Sequence, residues 1–137
     1  KRNGVPLGGK GSLPNMLRNA LGASSFDKFW QYWNPIWGYF LSVYVMKPLV
    51  GVLPFSLAII FTFAISGGLH DLAILLLTGD FVLVCTPWFT VMGLFVVITK
   101  LLKVNLQHSS FLLRALCNIS LIVAGYLLSR GAISWLY

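Results

Sequence analysis

Residues 49–69 read LVGVLPFSLAIIFTFAISGGL, a run without one ionisable side chain, and the chain then places His70 and Asp71 before resuming with LAILLL at 72–77. About 20 apolar residues carry a helix across roughly 30 Å of hydrocarbon. The run therefore predicts a membrane span over 49–69, extending as far as Leu77, with a titratable pair set at the end of its first stretch. Ionisable groups at or inside the bilayer boundary cost free energy, so the pair marks a candidate functional site. The bland reading is that Gly67 and Gly68 end the span and leave His70 and Asp71 in the headgroup region.

Two more stretches, Phe81–Thr99 and Phe111–Leu128, have the length and composition to cross. A strand barrel is the other way to satisfy a backbone in lipid, but it needs alternating apolar and polar residues. Blocks such as AIIFTFAI and LAILLL do not alternate. With 58% apolar and 9% charged residues and a mean hydropathy of +0.84, the expected fold is an all-α integral membrane protein. It has about three transmembrane helices preceded by one or two interfacial amphipathic helices. The expected division is a flexible basic cytoplasmic arm at 1–12, interfacial helices at 13–47 and a membrane bundle at 48–137.

Charge placement gives an orientation. Lys1, Arg2, Lys10, Arg18, Lys28 and Lys47 precede Leu49 against Asp27 alone. The connection around Gly79 holds Asp71 and Asp80 without a base, and the next carries Lys100 and Lys103. Basic loops stay cytoplasmic, which puts the N-terminus inside, in a bacterial inner membrane or a eukaryotic endomembrane alike. Arg114 can snorkel back to the same headgroups. The net charge of +7 is scattered rather than gathered into a compact motif, so the expected partner is membrane lipid with anionic headgroups, not nucleic acid. Cys85 and Cys117 have no CxxC spacing and no acidic or histidine cluster beside them, so they read as buried hydrophobes and no metal site is expected. Asn118-Ile119-Ser120 matches a glycosylation sequon in mid-span and reads as chance.

The segment before the spans is different in kind. From Pro14, read as the first helical position, Leu13, Met16, Leu17, Ala20 and Leu21 share one face, and Gly22 ends the helix. Ser25 can cap a second helix, with Phe26, Phe29, Trp30 and Trp33 on one side and Asp27, Lys28 and Gln31 on the other. Trp and Tyr concentrate at membrane interfaces, so Trp30, Tyr32, Trp33, Trp37 and Tyr39 fit an interfacial belt. Pro35 disfavours helix at Asn34, which predicts a break there with the Asn34 carboxamide free of the backbone ladder.

The stretch FDKFWQYWN at 26–34, followed by FAISGGLHD at 63–71, resembles the membrane-bound O-acyltransferase superfamily. There an aromatic motif ending in Trp-Asn precedes an apolar helix bearing a histidine, and the resemblance covers roughly residues 26–100. It implies acyl transfer from a thioester such as acyl-CoA to a hydroxyl acceptor, with no other cofactor. His70 would be the general base, Asn34 a catalytic amide for the acyl carbonyl or the developing oxyanion, and Trp30, Trp33 and Ser66 substrate contacts. Imidazole suits the role because its unperturbed pKa lies near 6.5. Asp71, about 100° around the helix from His70, is assigned to the outer interface.

Family members are several times longer. The alternative reading is therefore a non-catalytic accessory subunit of a larger membrane complex or homo-oligomer that keeps the scaffold. Its features are a middle span bent at Pro87 and small residues Gly93, Ala115, Ser120, Ala124 and Gly125 for close helix approach. Transport is disfavoured, because His70, Asp71, Asp80 and Arg114 do not form a continuous polar route.

Overall fold

The computed structural model describes residues 2–6 and 8–134, and among these every regular element is helical. Helix α1 spans Ser12–Leu21 and α2 spans Phe26–Tyr32. Helix α3, Pro35–Leu41, passes through one π turn at Ser42–Met46 into the short α4, Lys47–Val50. Three longer helices follow: α5 (Phe55–Thr78), α6 (Cys85–Leu101) and α7 (Phe111–Ser134).

The expectation of three spans is met by two helices of sufficient length. Helices α5 and α7 each have 24 residues and a hydropathy of 1.9 over their best window. At 1.5 Å per residue each reaches about 36 Å. Helix α6 has 17 residues and reaches only about 25 Å. It begins at Cys85 rather than near Phe81, and Pro87 lies in its first turn instead of bending its middle. Proline is tolerated there because first-turn N–H groups have no intrahelical acceptor.

The first span is displaced in the other direction. Residues 49–54 are not part of it: α4 ends at Val50, and Pro54 occupies the position before α5. Helix α5 then runs straight through Gly67 and Gly68 and stops only at Gly79, which takes the left-handed conformation at φ 78° and donates its N–H to Leu75 O. His70 and Asp71 are thus inside the helix, not at its end. Gly67 is there for contact with α6. A Cβ at that position would lie 2.5 Å from Cys85 O and 2.7 Å from Thr86 Cα. Gly93 makes the reciprocal approach, its Cβ position 3.1 Å from Ile60 Cα. Small residues at such crossings let two helices pack backbone to backbone.

Asp71 locks this crossing. Its carboxylate is buried and accepts from Val84 N and Cys85 N on Oδ1, at 3.2 and 2.8 Å, and from Thr86 N and Thr86 Oγ1 on Oδ2, at 2.8 and 2.6 Å. The placement of Asp71 at the outer interface is therefore corrected: it is the cap of α6, supplied from another helix. Orphan N–H groups and the positive end of the helix dipole both favour an anion at that position.

The other ties bring the N-terminal elements onto one end of the bundle. Asn118, buried in α7, donates to Leu21 O and Ala23 O, each at 3.1 Å, so its role is structural whatever the sequon suggests. Leu106 N donates to Ser24 O at 2.7 Å, and Lys100 reaches Asp27 at 3.4 Å. Trp88 Nε1 joins α6 to Ile122 O of α7 at 3.0 Å. Phe26 and Phe29 of α2 are buried with Ala20, Ala23, Ile59, Met92, Val96 and Val97 in one core, which a purely interfacial helix would not be. Arg2 and Asn3 are tied to α1 and α2 as well: Asn3 is buried, donates to Tyr32 O and accepts from Asn15 and Asn19, and Arg2 donates to Gln31 O.

Replacing Asp71 with Ala would strand three backbone donors and a hydroxyl at the start of α6. The expected cost is about 2–5 kcal/mol, read as a lower thermal unfolding midpoint in detergent. Asn, which keeps one acceptor oxygen, should fall between Ala and the native protein. An unchanged midpoint for Ala would show the crossing to be held by packing alone.

Candidate active site

Asn34 sits where α2 gives way to α3. Trp33 is already extended at ψ 121°, and Asn34 adopts the left-handed conformation at φ 42°, which Asn tolerates better than most residues. Pro35 then opens α3 with its preset φ. The break is where the sequence puts it, but the carboxamide is not free of the backbone. Its Oδ1 accepts from Trp37 N at 3.3 Å and caps α3, leaving the Nδ2 hydrogens as its remaining donors.

Between α2, α3, the π turn, α5 and α6 lies a cavity of about 450 Å³. Its lining includes the five residues to which the family resemblance assigns roles: Asn34 and His70, with Trp30, Trp33 and Ser66. Its wall is largely apolar, with Ile59, Phe63, Phe89 and Val96, while the Asp27–Lys100 pair stands at the end near the start of α5, with Lys100 over the Phe55 ring. From Ile59 to His70 the cavity follows α5 for roughly 16 Å.

His70 is at the opposite end from that charged group. Its Nδ1 lies 2.7 Å from Ser66 O, one turn earlier on α5. A carbonyl oxygen can only accept, so this contact assigns the proton of the neutral ring to Nδ1 and leaves the Nε2 lone pair available. The ring is exposed rather than buried, held by the edge of Trp37 at 5.8 Å and by Phe89 at 5.0 Å between centroids. Asp71 does not line this cavity, and both of its oxygens are engaged by α6.

Trp37 is the residue that sequence reasoning misplaced. Read as part of an interfacial belt, it instead turns inward and donates from Nε1 to Ser66 Oγ at 3.0 Å. It therefore holds the turn of α5 that orients His70. Trp30 is likewise an inner residue, edge-on to Phe63 at 5.2 Å. Tyr39 alone of the five is strongly exposed, at 63%. Local spacing could not separate these roles, because both tryptophans face partners about 30 residues or more away in the chain.

The sequence profile of the membrane-bound O-acyltransferase family, MBOAT, matches residues 10–128. The chain belongs to the MBOAT family. Searches of curated proteins and of solved structures returned no match. The matched region takes in α1 to α6 and most of α7, so both the aromatic segment and the histidine helix lie inside the family unit.

At the charged end, burial alone would push the Asp27 carboxyl up. The Ser25 hydroxyl at 2.6 Å and the Lys100 ammonium outweigh it and hold the group below the ordinary 3.8. A carboxylate with a lowered folded pKa stabilises the fold above its unfolded value and loses that contribution as pH falls through the folded one. Asp27→Asn should therefore unfold at a lower temperature than the native MBOAT protein at neutral pH. The gap should close only at pH values below 3.8. A gap that persisted unchanged into that range would exclude the carboxylate as its source.

Proposed function

We propose that this MBOAT chain transfers an acyl group from a thioester to a hydroxyl acceptor in the cavity between Asn34 and His70. The observation that supports it is the convergence of the aromatic segment and the histidine helix on one cavity, with the histidine tautomer set for proton acceptance. The acceptor O–H gives its proton to His70 Nε2 as its oxygen attacks the thioester carbonyl carbon. The tetrahedral oxyanion is met by the Nδ2 donors of Asn34. Collapse breaks the C–S bond, and the departing sulfur takes the proton from the imidazolium, leaving an ester, a free thiol and a neutral His70.

The apolar wall of Ile59, Phe63, Phe89 and Val96 suits the acyl chain, and Trp30, Trp33 and Ser66 bound the reacting end. The basic residues of the N-terminal elements and of the connection after α6 put the Lys100 end of the bundle, opposite His70, on the cytoplasmic side. Cysteine-accessibility labelling, with Cys85 and Cys117 replaced, should then find Gly8 and Asn105 inside and Gly79 outside. Residues 8 and 79 on one side would reverse this topology.

The reaction is tested with labelled acyl thioester and a series of hydroxyl acceptors. His70→Ala should lower transfer by about 10² to 10⁴ while insertion and purification remain normal. Gln at the same position keeps polarity but cannot carry the proton and should be equally poor. Asn34→Ala should reduce transfer too, and Trp37→Phe should show a measurable loss, since it removes the donor to Ser66 while keeping an aromatic ring. Transfer undiminished in His70→Ala, or absent from the native protein across donors, would defeat the catalytic reading and leave the family scaffold as a structural one.

A further inference from the structure

On the other side of α2 from the His70 cavity is a second hollow, of about 860 Å³, bounded by Arg18, Lys28 and Arg114. Asn19, Ser24, Tyr32, Gln107 and Phe111 complete most of its wall, and no acidic residue is among them. Three cations that face one hollow repel each other, and the chain has only three acidic side chains with which to balance them. None is placed to do so. Asp27 pairs with Lys100 on the far side of α2, Asp71 is saturated by the start of α6, and Asp80 follows the C-terminus of α5, beyond Asp71 from the Phe55 end that packs near Lys100. Arg114 also has a buried Nε without a hydrogen-bond partner among the described residues. A buried guanidinium nitrogen left without an acceptor is costly.

We infer that Arg18, Lys28 and Arg114 form a binding site for the phosphate of an anionic phospholipid headgroup. Phosphate supplies the missing acceptors, and a guanidinium fork matches its oxygens. The Tyr32 hydroxyl and the Gln107 amide offer further neutral donors at the wall. A lipid is favoured over a soluble phosphate by what adjoins the site. Phe111, Leu112 and Leu113 form the first turn of the long apolar helix α7 and are 46%, 67% and 47% exposed, so an apolar surface for acyl chains begins at the rim of the cationic hollow. The inference does not depend on the chemistry at His70, which faces a different cavity.

The test is native mass spectrometry of the detergent-solubilised protein after exchange into mixtures of phosphatidic acid, phosphatidylglycerol and phosphatidylcholine. The native chain should retain the anionic lipids selectively. Arg18 and Lys28 are both exposed, so the double variant Arg18→Gln, Lys28→Gln should fold normally. It should lose retention by roughly thirtyfold, at about fivefold per basic side chain near a lipid surface. Lys10→Gln, Lys103→Gln removes the same charge outside the hollow and should leave retention near the native level. Arg114→Gln gives a third reading within the site. Equal loss in the two double variants would reduce the effect to diffuse charge and overturn the site. So would retention unchanged by substitution within the hollow, or displacement of the lipid by coenzyme A, which would reassign the hollow to the thioester donor.

Discussion

The carboxylate of Asp71, accepting four hydrogen bonds from the beginning of α6, is the contact on which the arrangement of the bundle rests. In an apolar surround a hydrophobic driving force between helices is weak, and packing together with buried hydrogen bonds must set their crossing. Gly67 allows the backbones to meet, and Asp71 fixes how they meet, because its two oxygens reach three consecutive amides and one hydroxyl. Adjacent positions on a helix point about 100° apart. Anchoring residue 71 to the start of α6 therefore turns residue 70 off that contact and into the cavity, where Phe89, one turn further along α6, meets its ring. The carboxylate orients the imidazole without touching it.

The opposite wall of the cavity is made of pieces that would not hold a helix alone. Helices α2 and α3 have 7 residues each, well under the roughly 12–15 at which isolated helices become even marginal in water. Their order comes from where they dock. Asn118 takes the two carbonyls at the end of α1, Asn3 takes the last carbonyl of α2, and Phe26 and Phe29 enter the core. Trp37 completes the wall through Ser66. The two catalytic candidates thus belong to one structure held by polar contacts: Asn34 caps α3 through Trp37 N, and the same tryptophan steadies the turn that carries His70.

What could be read from the sequence was what is local. The break at Asn34-Pro35, the Gly22 terminator and the aromatic helix each depend on residues within a turn or two. The contacts that decide the fold do not. Asp71 finds partners 13 to 15 positions away, and Asn118 finds them 95 and 97 away. No periodicity signals such a pair in advance. Gly67 and Gly68 misled for a related reason. Glycine weakens a helix in water, but between packed helices its missing side chain is what permits the crossing.

Helix α5 shows why hydrophobic patterning alone could not divide cavity from lipid. It presents three faces. Ile59, Thr62, Phe63, Ser66 and His70 line the cavity, while Ile60, Gly67 and Asp71 meet α6. Phe61, Ile65, Leu69, Leu72 and Leu76 are exposed along a third stripe. All three stripes repeat at three- and four-residue steps, and two of them are mainly apolar, so the helix has no single greasy side for a moment to find. What separates the faces is their few exceptions. The cavity stripe alone has hydroxyls and an imidazole, the α6 stripe alone has glycine and a carboxylate, and the outer stripe has neither. In a helix that is apolar nearly all round, the sparse polar and small residues are therefore the ones that report its neighbours, and His70 and Asp71 differ in their partners because they fall on different stripes.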